Sequence, residues 1–253
     1  MSVAAVLTAA GSGSRLGHSL PKALVPLGGQ SLVAHAARNL LAARAAGDDR
    51  VRVLVVTAPA FHLDAIAREL DGLDGPDGPD GEIVLLVVAG GATRQASVAA
   101  GLAALAADPR ASDVDVVLVH DAARPLAPPS LVARVIEAVR DGHPAVVPGL
   151  PVTDTIKRVA PHRGVTVEPV LETVPRGELR AVQTPQGFAL ELLLRAHTHG
   201  ADDAHDEALA ASDDAGLVER LGETVWVVAG DERAAKITTA RDLAVAALPT
   251  EDE

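Results

Sequence analysis

Between Ala9 and Leu24 the chain reads AAGSGSRLGHSLPKAL, with Gly11, Gly13 and Gly17 close together and Arg15 and Lys22 on either side of a Pro-containing turn. Glycines after a strand let backbone N–H groups converge on an anion, because no Cβ holds it off. An Arg fork and a Lys point charge over one such loop suit a polyphosphate on which negative charge develops during reaction. An ordinary loop with two solvated cations would use the same residues, and glycine spacing alone does not decide between them. A second candidate is Asp121, which closes the run VDVVLVHD. A carboxylate at the carboxyl end of a central strand stands where ligands gather in open α/β sheets. It can hold Mg²⁺ or another divalent cation, a hard ion that shares its ligands with substrate phosphates. His120 beside it reads as a packed strand-end residue. Arg124 reads as structural, pairing with Asp121 or fixing the loop before Pro125. Lys236, in AAKITT, reads by itself as a surface lysine.

Two familiar phosphate loops do not fit. A P-loop needs G-x-x-x-x-G-K-[ST], and the chain has none. A dinucleotide fingerprint needs a third glycine where Leu16 stands and an acidic residue after the second strand, which instead runs into VTAPAF.

Such residues need a scaffold. Short β-branched runs at Val3–Leu7, Val51–Val56, Ile83–Val88, Val114–Val119 and Ala145–Val147 alternate with Ala- and Leu-rich stretches at Leu32–Ala46, Ala60–Leu70, Gln95–Ala107 and Leu131–Arg140. Gly47 and Gly142 are candidate helix stops. The alternation predicts β-α-β units, hence an α/β fold with a doubly wound, mainly parallel sheet. Asp71–Gly81 (DGLDGPDGPDG) has no apolar period and predicts an exposed loop. From Pro151 to Gln186 the rhythm breaks into short alternating pieces around APHRG, which predicts a β-hairpin leaving the main sheet. A helix, a helical piece at Ala215–Leu221, a strand at Thr224–Val228 and a last helix from about Ala240 follow.

Composition limits the partners. The chain has 253 residues and one core suffices for it; hydrophobic residues make up 48% and aromatics 1%, so the core is Ala, Val and Leu. A net charge of -12 argues against nucleic acid and anionic membranes. With no Cys there is no disulfide, thiolate nucleophile or sulfur-ligated metal. The start lacks a signal peptide's basic region and no run is long enough to span a bilayer, so a cytoplasmic protein is expected.

The A-A-G-x-G-x-R-[LM] loop with its downstream P-K resembles that of the nucleotidylyltransferase superfamily. Within it the chain is similar, almost end to end, to the 2-C-methyl-D-erythritol 4-phosphate cytidylyltransferases. The carriers are AGGATRQASVAAGL (Ala89–Leu102), VHDAARP (Val119–Pro125), PVTDTIKRV (Pro151–Val159), AVQTPQGF (Ala181–Phe188), SDDAGLVE (Ser212–Glu219) and AKITTARDL (Ala235–Leu243).

The resemblance implies a Rossmann-like nucleotidyltransferase fold with a protruding β-hairpin arm: residues 1–248 as one domain, 151–186 within it as a dimerisation arm, and 249–253 as a tail. It implies CTP and a sugar-alcohol phosphate as substrates, Mg²⁺ as cofactor and a homodimer joined through the arm. Arg15, Lys22 and Lys236 would be the catalytic cations. Ala10, Gly11, Gly13, Gly90, Gly91, Ser97, Asp121 and Ala122 would bind nucleotide, the Gly90–Ser97 stretch reading the cytosine edge and Asp121 also holding the metal. Thr155, Arg176, Ser212 and Lys236 would bind the acceptor, the arm reaching a partner's site. Relatives commonly have Asn-Ile before the late lysine, where this chain has Ala234 and Ala235. A phosphomonoester nucleophile is already largely ionised at neutral pH, its second pKa being near ~6, so no general base is needed. Transfer to ribitol 5-phosphate, non-catalytic nucleotide binding and, more remotely, nicotinamide-dependent oxidoreduction are the competing readings.

Overall fold

The computed structural model describes residues 1–11, 20–73, 83–160 and 167–248. The first β-branched run forms β1 (Ser2–Thr8), and a small antiparallel pair, β2 (Pro26–Leu27) and β3 (Gln30–Ser31), leads into α1 (Leu32–Ala42). Then β4 (Val51–Ala58), α2 (Leu63–Glu69), β5 (Val84–Ala89), α3 (Arg94–Ala107), β6 (Val114–Asp121), α4 (Pro129–Arg140) and β7 (Ala145–Pro151) alternate as the periodicity predicts. After them come β8 (Ile156–Val159), β9 (Val170–Val174), β10 (Arg180–Val182), β11 (Gln186–Ala189), α5 (Leu190–His199), α6 (Asp214–Arg220), β12 (Trp226–Ala229) and α7 (Ala240–Ala246).

Among the described residues eight strands make the main sheet, with β5, β4, β1, β6, β11 and β7 side by side and both β10 and β12 on β7. The pairs β4–β5, β1–β4, β1–β6 and β7–β12 are parallel. By contrast β11 runs antiparallel to both β6 and β7, and β10 antiparallel to β7. Alternate residues of each strand feed two cores. Val3, Ala5 and Leu7 pack with residues of α1, α2 and α4 on one face, while Ala4 and Val6 pack with α3, α5 and α6 on the other. Helices on both faces of a mainly parallel sheet are the doubly wound arrangement.

Among the described residues of 151–186 only the strands β8 and β9 leave the main sheet, pairing with each other, whereas Arg180–Val182 and Gln186 are sheet residues. The first helix ends earlier than its Ala-rich run predicts. Ala43 is extended, and the Arg44 guanidinium donates to the Leu41 and Ala43 carbonyls at 2.7 Å each, taking the place of another helical turn. Gly47, read as its stop, lies beyond it in a separate 3-10 turn with φ 73°. Gly142 does follow α4 with φ 95°. Residues 74–81 of the Asp-Gly loop and the 249–253 tail lie outside the described residues. No described helix is long and apolar enough to cross a membrane.

Candidate active site

Strand parity aims Asp121. It continues the row of Val117 and Val119, which face α3, so its buried carboxylate meets the first turn of that helix. Thr8, its register partner on β1, donates to Oδ1 at 3.2 Å, and Arg94 Nε, at the start of α3, donates to the same oxygen at 3.2 Å. Lys236 Nζ stands 2.7 Å from Oδ2. Burial pushes this carboxyl upward, but the Arg94 and Lys236 charges outweigh burial and hold it well below the usual carboxylate range. Asp121 is therefore an anion at neutral pH.

His120 has the opposite parity and is buried on the other face. Burial lowers its imidazole to about 4, so it is neutral, with Nδ1 2.9 Å from Thr184 Oγ1 and Nε2 3.2 Å from the Arg124 carbonyl. Arg124 fixes its loop, as the sequence suggests, through carbonyls: it donates to Ala234 at 2.7 Å and Val182 at 3.2 Å. The Ile237 amide donates to the Ala123 carbonyl at 2.8 Å. These contacts locate the Lys236 segment by its backbone, with Ala234 fully buried.

Sequence reasoning missed Arg94 and Asp214. Arg94 Nη1 donates to Asp214 Oδ2 at 2.6 Å, and Asp214 Oδ1 lies 2.9 Å from His197 Nε2. A signal was available, because an arginine opening a helix opposes the helix dipole and needs carboxylates nearby. The turn carrying it is fixed by Thr93, which caps α3 by accepting from the Ala96 amide at 3.0 Å and donates to the Ala204 carbonyl.

Thr8, Thr93, Arg94, Asp121 and Lys236 line a cleft of about 530 Å³ at the carboxyl ends of β1 and β6. Of the predicted site residues it brings together Ala10, Gly11, Lys22, Gly91, Ser97, Asp121, Ala122 and Lys236. Gly90 stands just behind, where a Cβ would come within 2.6 Å of Ala10 Cβ and 2.9 Å of Ser97 Oγ. Ser97 is buried, its hydroxyl donating to the Thr93 carbonyl at 2.8 Å and accepting from the Gly91 amide at 3.1 Å, so it shapes the loop it was expected to read from. Thr155 and Arg176 are exposed in the arm region, where Arg176 donates to the Thr153 carbonyl, and Ser212 is exposed before α6; none of the three lines the cleft. Gly13 and Arg15 lie outside the described residues.

No group of three or more His, Asp or Glu side chains able to hold a metal occurs among the described residues. One buried, ionised carboxylate at a cleft wall fits a cation such as Mg²⁺, which takes its other ligands from phosphates and water.

The fold is shared by relatives. The family model for IspD, 2-C-methyl-D-erythritol 4-phosphate cytidylyltransferase, matches residues 3–250. The chain is 48% identical over 246 residues to the 2-C-methyl-D-erythritol 4-phosphate cytidylyltransferase of Saccharopolyspora erythraea, covering 97% of this chain and 98% of that one. The enzyme of the same name from Streptomyces avermitilis is 47% identical, over 96% and 89% of the two chains. The crystal structure of the Thermus thermophilus enzyme superposes with a TM-score of 0.69 at 36% identity, over 98% of each chain. With the model match spanning the β1 loop, the Asp121 strand and the Lys236 segment alike, the chain belongs to the 2-C-methyl-D-erythritol 4-phosphate cytidylyltransferase family.

Proposed function

We propose that the chain joins CTP and 2-C-methyl-D-erythritol 4-phosphate to give 4-diphosphocytidyl-2-C-methyl-D-erythritol and pyrophosphate. The observation that carries this reading is the convergence of Lys22, Lys236 and ionised Asp121 on one cleft with Gly11 in its wall. Gly11 has no positive φ, and no described residue lies within 4 Å of where its Cβ would be. Among the described residues neither backbone strain nor packing calls for glycine there, while close approach of a phosphate does.

In this reading Lys22, with Arg15 of the preceding segment, cradles the triphosphate over Ala10, Gly11 and Gly13. The loop of Gly90, Gly91 and Ser97 takes the cytosine, and Ala122 and Asp121 lie against the nucleotide. Lys236 and Ser212 serve the acceptor phosphate, with Thr155 and Arg176 reaching it from the arm of a second copy. Among the described residues the arm's strands pair only with each other, and they carry Val170 and Leu171 at 56% and 60% exposure, an apolar surface suited to a partner chain.

The acceptor phosphomonoester is largely a dianion at neutral pH, so no side chain has to remove a proton. One of its oxygens bonds to the α-phosphorus as the bridge to the β-phosphorus breaks, and the electron pair leaves on pyrophosphate. Lys22, Arg15 and Lys236 meet the charge that develops on the transferring phosphate and the leaving group. Asp121 would hold Mg²⁺, whose contribution when bound is to neutralise and orient the phosphates. Pyrophosphate release measured with CTP and a panel of polyol phosphates tests the reading. Turnover with 2-C-methyl-D-erythritol 4-phosphate is expected; turnover with ribitol 5-phosphate alone, or CTP binding without turnover of any acceptor, would overturn it.

A further inference from the structure

The two carboxylate oxygens of Asp121 are held in unlike ways. Oδ1 belongs to the scaffold. Thr8 donates to it from the neighbouring strand, in register, and Arg94 from the first turn of α3. Arg94 is itself clamped at 2.6 Å by Asp214, which is 1% exposed. Oδ2 is held by Lys236 across 2.7 Å, and that side chain is 43% exposed on a flexible stem. Only its backbone is fixed, through Ala123 and Arg124. Among the described residues Oδ2 has one donor against two on Oδ1, so a cation meets Asp121 most readily at Oδ2, where it faces the Lys236 ammonium. Lys236 is also the donor that can turn away without opening the sheet or unpairing a buried charge.

We propose that Lys236 is an exchangeable counter-ion of Asp121: it yields Oδ2 when a divalent cation takes that oxygen, and its ammonium then turns to the phosphates in the same cleft. This rests on the reading of Asp121 as a metal-holding residue. The exchange keeps Asp121 neutralised before and after, and a dication at Oδ2 repels the ammonium from its old place. Lys236–Asp121 pairing and metal binding then oppose each other by the same factor in both directions.

The chain has three lysines, Lys22, Lys157 and Lys236, so chemical labelling can be assigned to each. Reductive methylation of the intact parent chain, without nucleotide, should modify Lys236 several-fold faster relative to Lys157 when Mg²⁺ is added; an unchanged or slower rate overturns the exchange. In parallel, Mn²⁺ binding is followed by the electron paramagnetic resonance of the free ion. Lys236→Met should tighten it by about fivefold or more, the factor expected for removing a competing ion pair. Lys22→Met, which removes a charge from the same cleft but not from Oδ2, should change it less. Equal gains in the two variants would reduce the effect to general electrostatics and overturn the proposal. Asp121→Asn separates the two layers. If it leaves Mn²⁺ binding intact, the metal reading itself is wrong; if it abolishes binding while Lys236 labelling in the parent ignores Mg²⁺, the metal reading stands and only the exchange fails.

Discussion

Arg94 carries its charge into the first turn of α3 because Asp121 and Asp214 accept it from two sides. Burial would drive the Asp214 carboxyl up, but the Arg94 charge and the His197 hydrogen bond hold it below the usual range. Asp214→Asn keeps the shape and removes the charge, so stability in urea should fall by about 3 kcal/mol, the lower end for breaking a buried pair. The sign of its pH dependence is fixed: a depressed carboxylate contributes fully above the ordinary value of about 3.9 and loses that contribution as pH falls toward its folded value. The gap between the parent and the Asp214→Asn variant should therefore be constant near neutrality and close below about pH 4; a gap that persists there would mean packing rather than charge. Lys22→Ala tests the cleft's other wall. Turnover should drop on the order of 10²-fold with a smaller change in CTP binding, because the charge matters most at the transition state; turnover within a few-fold of the parent would make Lys22 a bystander. At this scale Lys22, Asp121 and the glycines were legible as types in a pattern. Arg94 and Asp214 were not singled out, since their partners lie 27 and 120 residues from Arg94 and only the fold brings them together.

Most long strands were legible to within a residue or two because β-branched runs of period two have few alternatives in a sheet buried on both faces. The Ala145–Val147 signal fell four residues short of the end of β7, whose last residues include Pro and Gly, and the short β2 and β3 gave none. Another strand that escaped was β11. Gln186–Ala189 gives no signal that a short antiparallel strand separates β6 from β7, as that pairing is made entirely by residues distant in sequence. The α3 loop shows the opposite case, where a glycine pair read as close approach has a concrete cause. A Cβ on Gly91 would lie 2.4 Å from Ala96 Cβ at the start of α3, and one on Gly90 2.6 Å from Ala10 Cβ, so at Gly90 the two loops that flank the cleft touch through a missing side chain. Gly90→Ala should push the Ala10 loop outward. We expect a loss of about 1–3 kcal/mol in thermal or urea unfolding, together with a CTP KM raised more than kcat is lowered; an unchanged KM would detach this loop from nucleotide binding.

For the whole molecule, one chain leaves part of the proposed chemistry outside its own cleft. Lys22, Asp121 and Lys236 line it, whereas Thr155 and Arg176 stand exposed in the arm region, next to the β8–β9 hairpin. A closed twofold dimer would resolve this by exchanging arms, each copy giving Arg176 to the other's acceptor phosphate. The alternative is a hairpin that serves only its own chain. Mixing two inactive variants separates these. If arms cross, a mixed dimer of Lys22→Ala and Arg176→Ala chains has one site with both defects and one with neither. Since random exchange makes half the dimers mixed, about a quarter of all sites should regain activity. Subunit exchange is followed independently by a mass tag on one variant, so that a failure to mix is not read as a failure to complement. Proven exchange with no recovered turnover would show that each chain completes its own site.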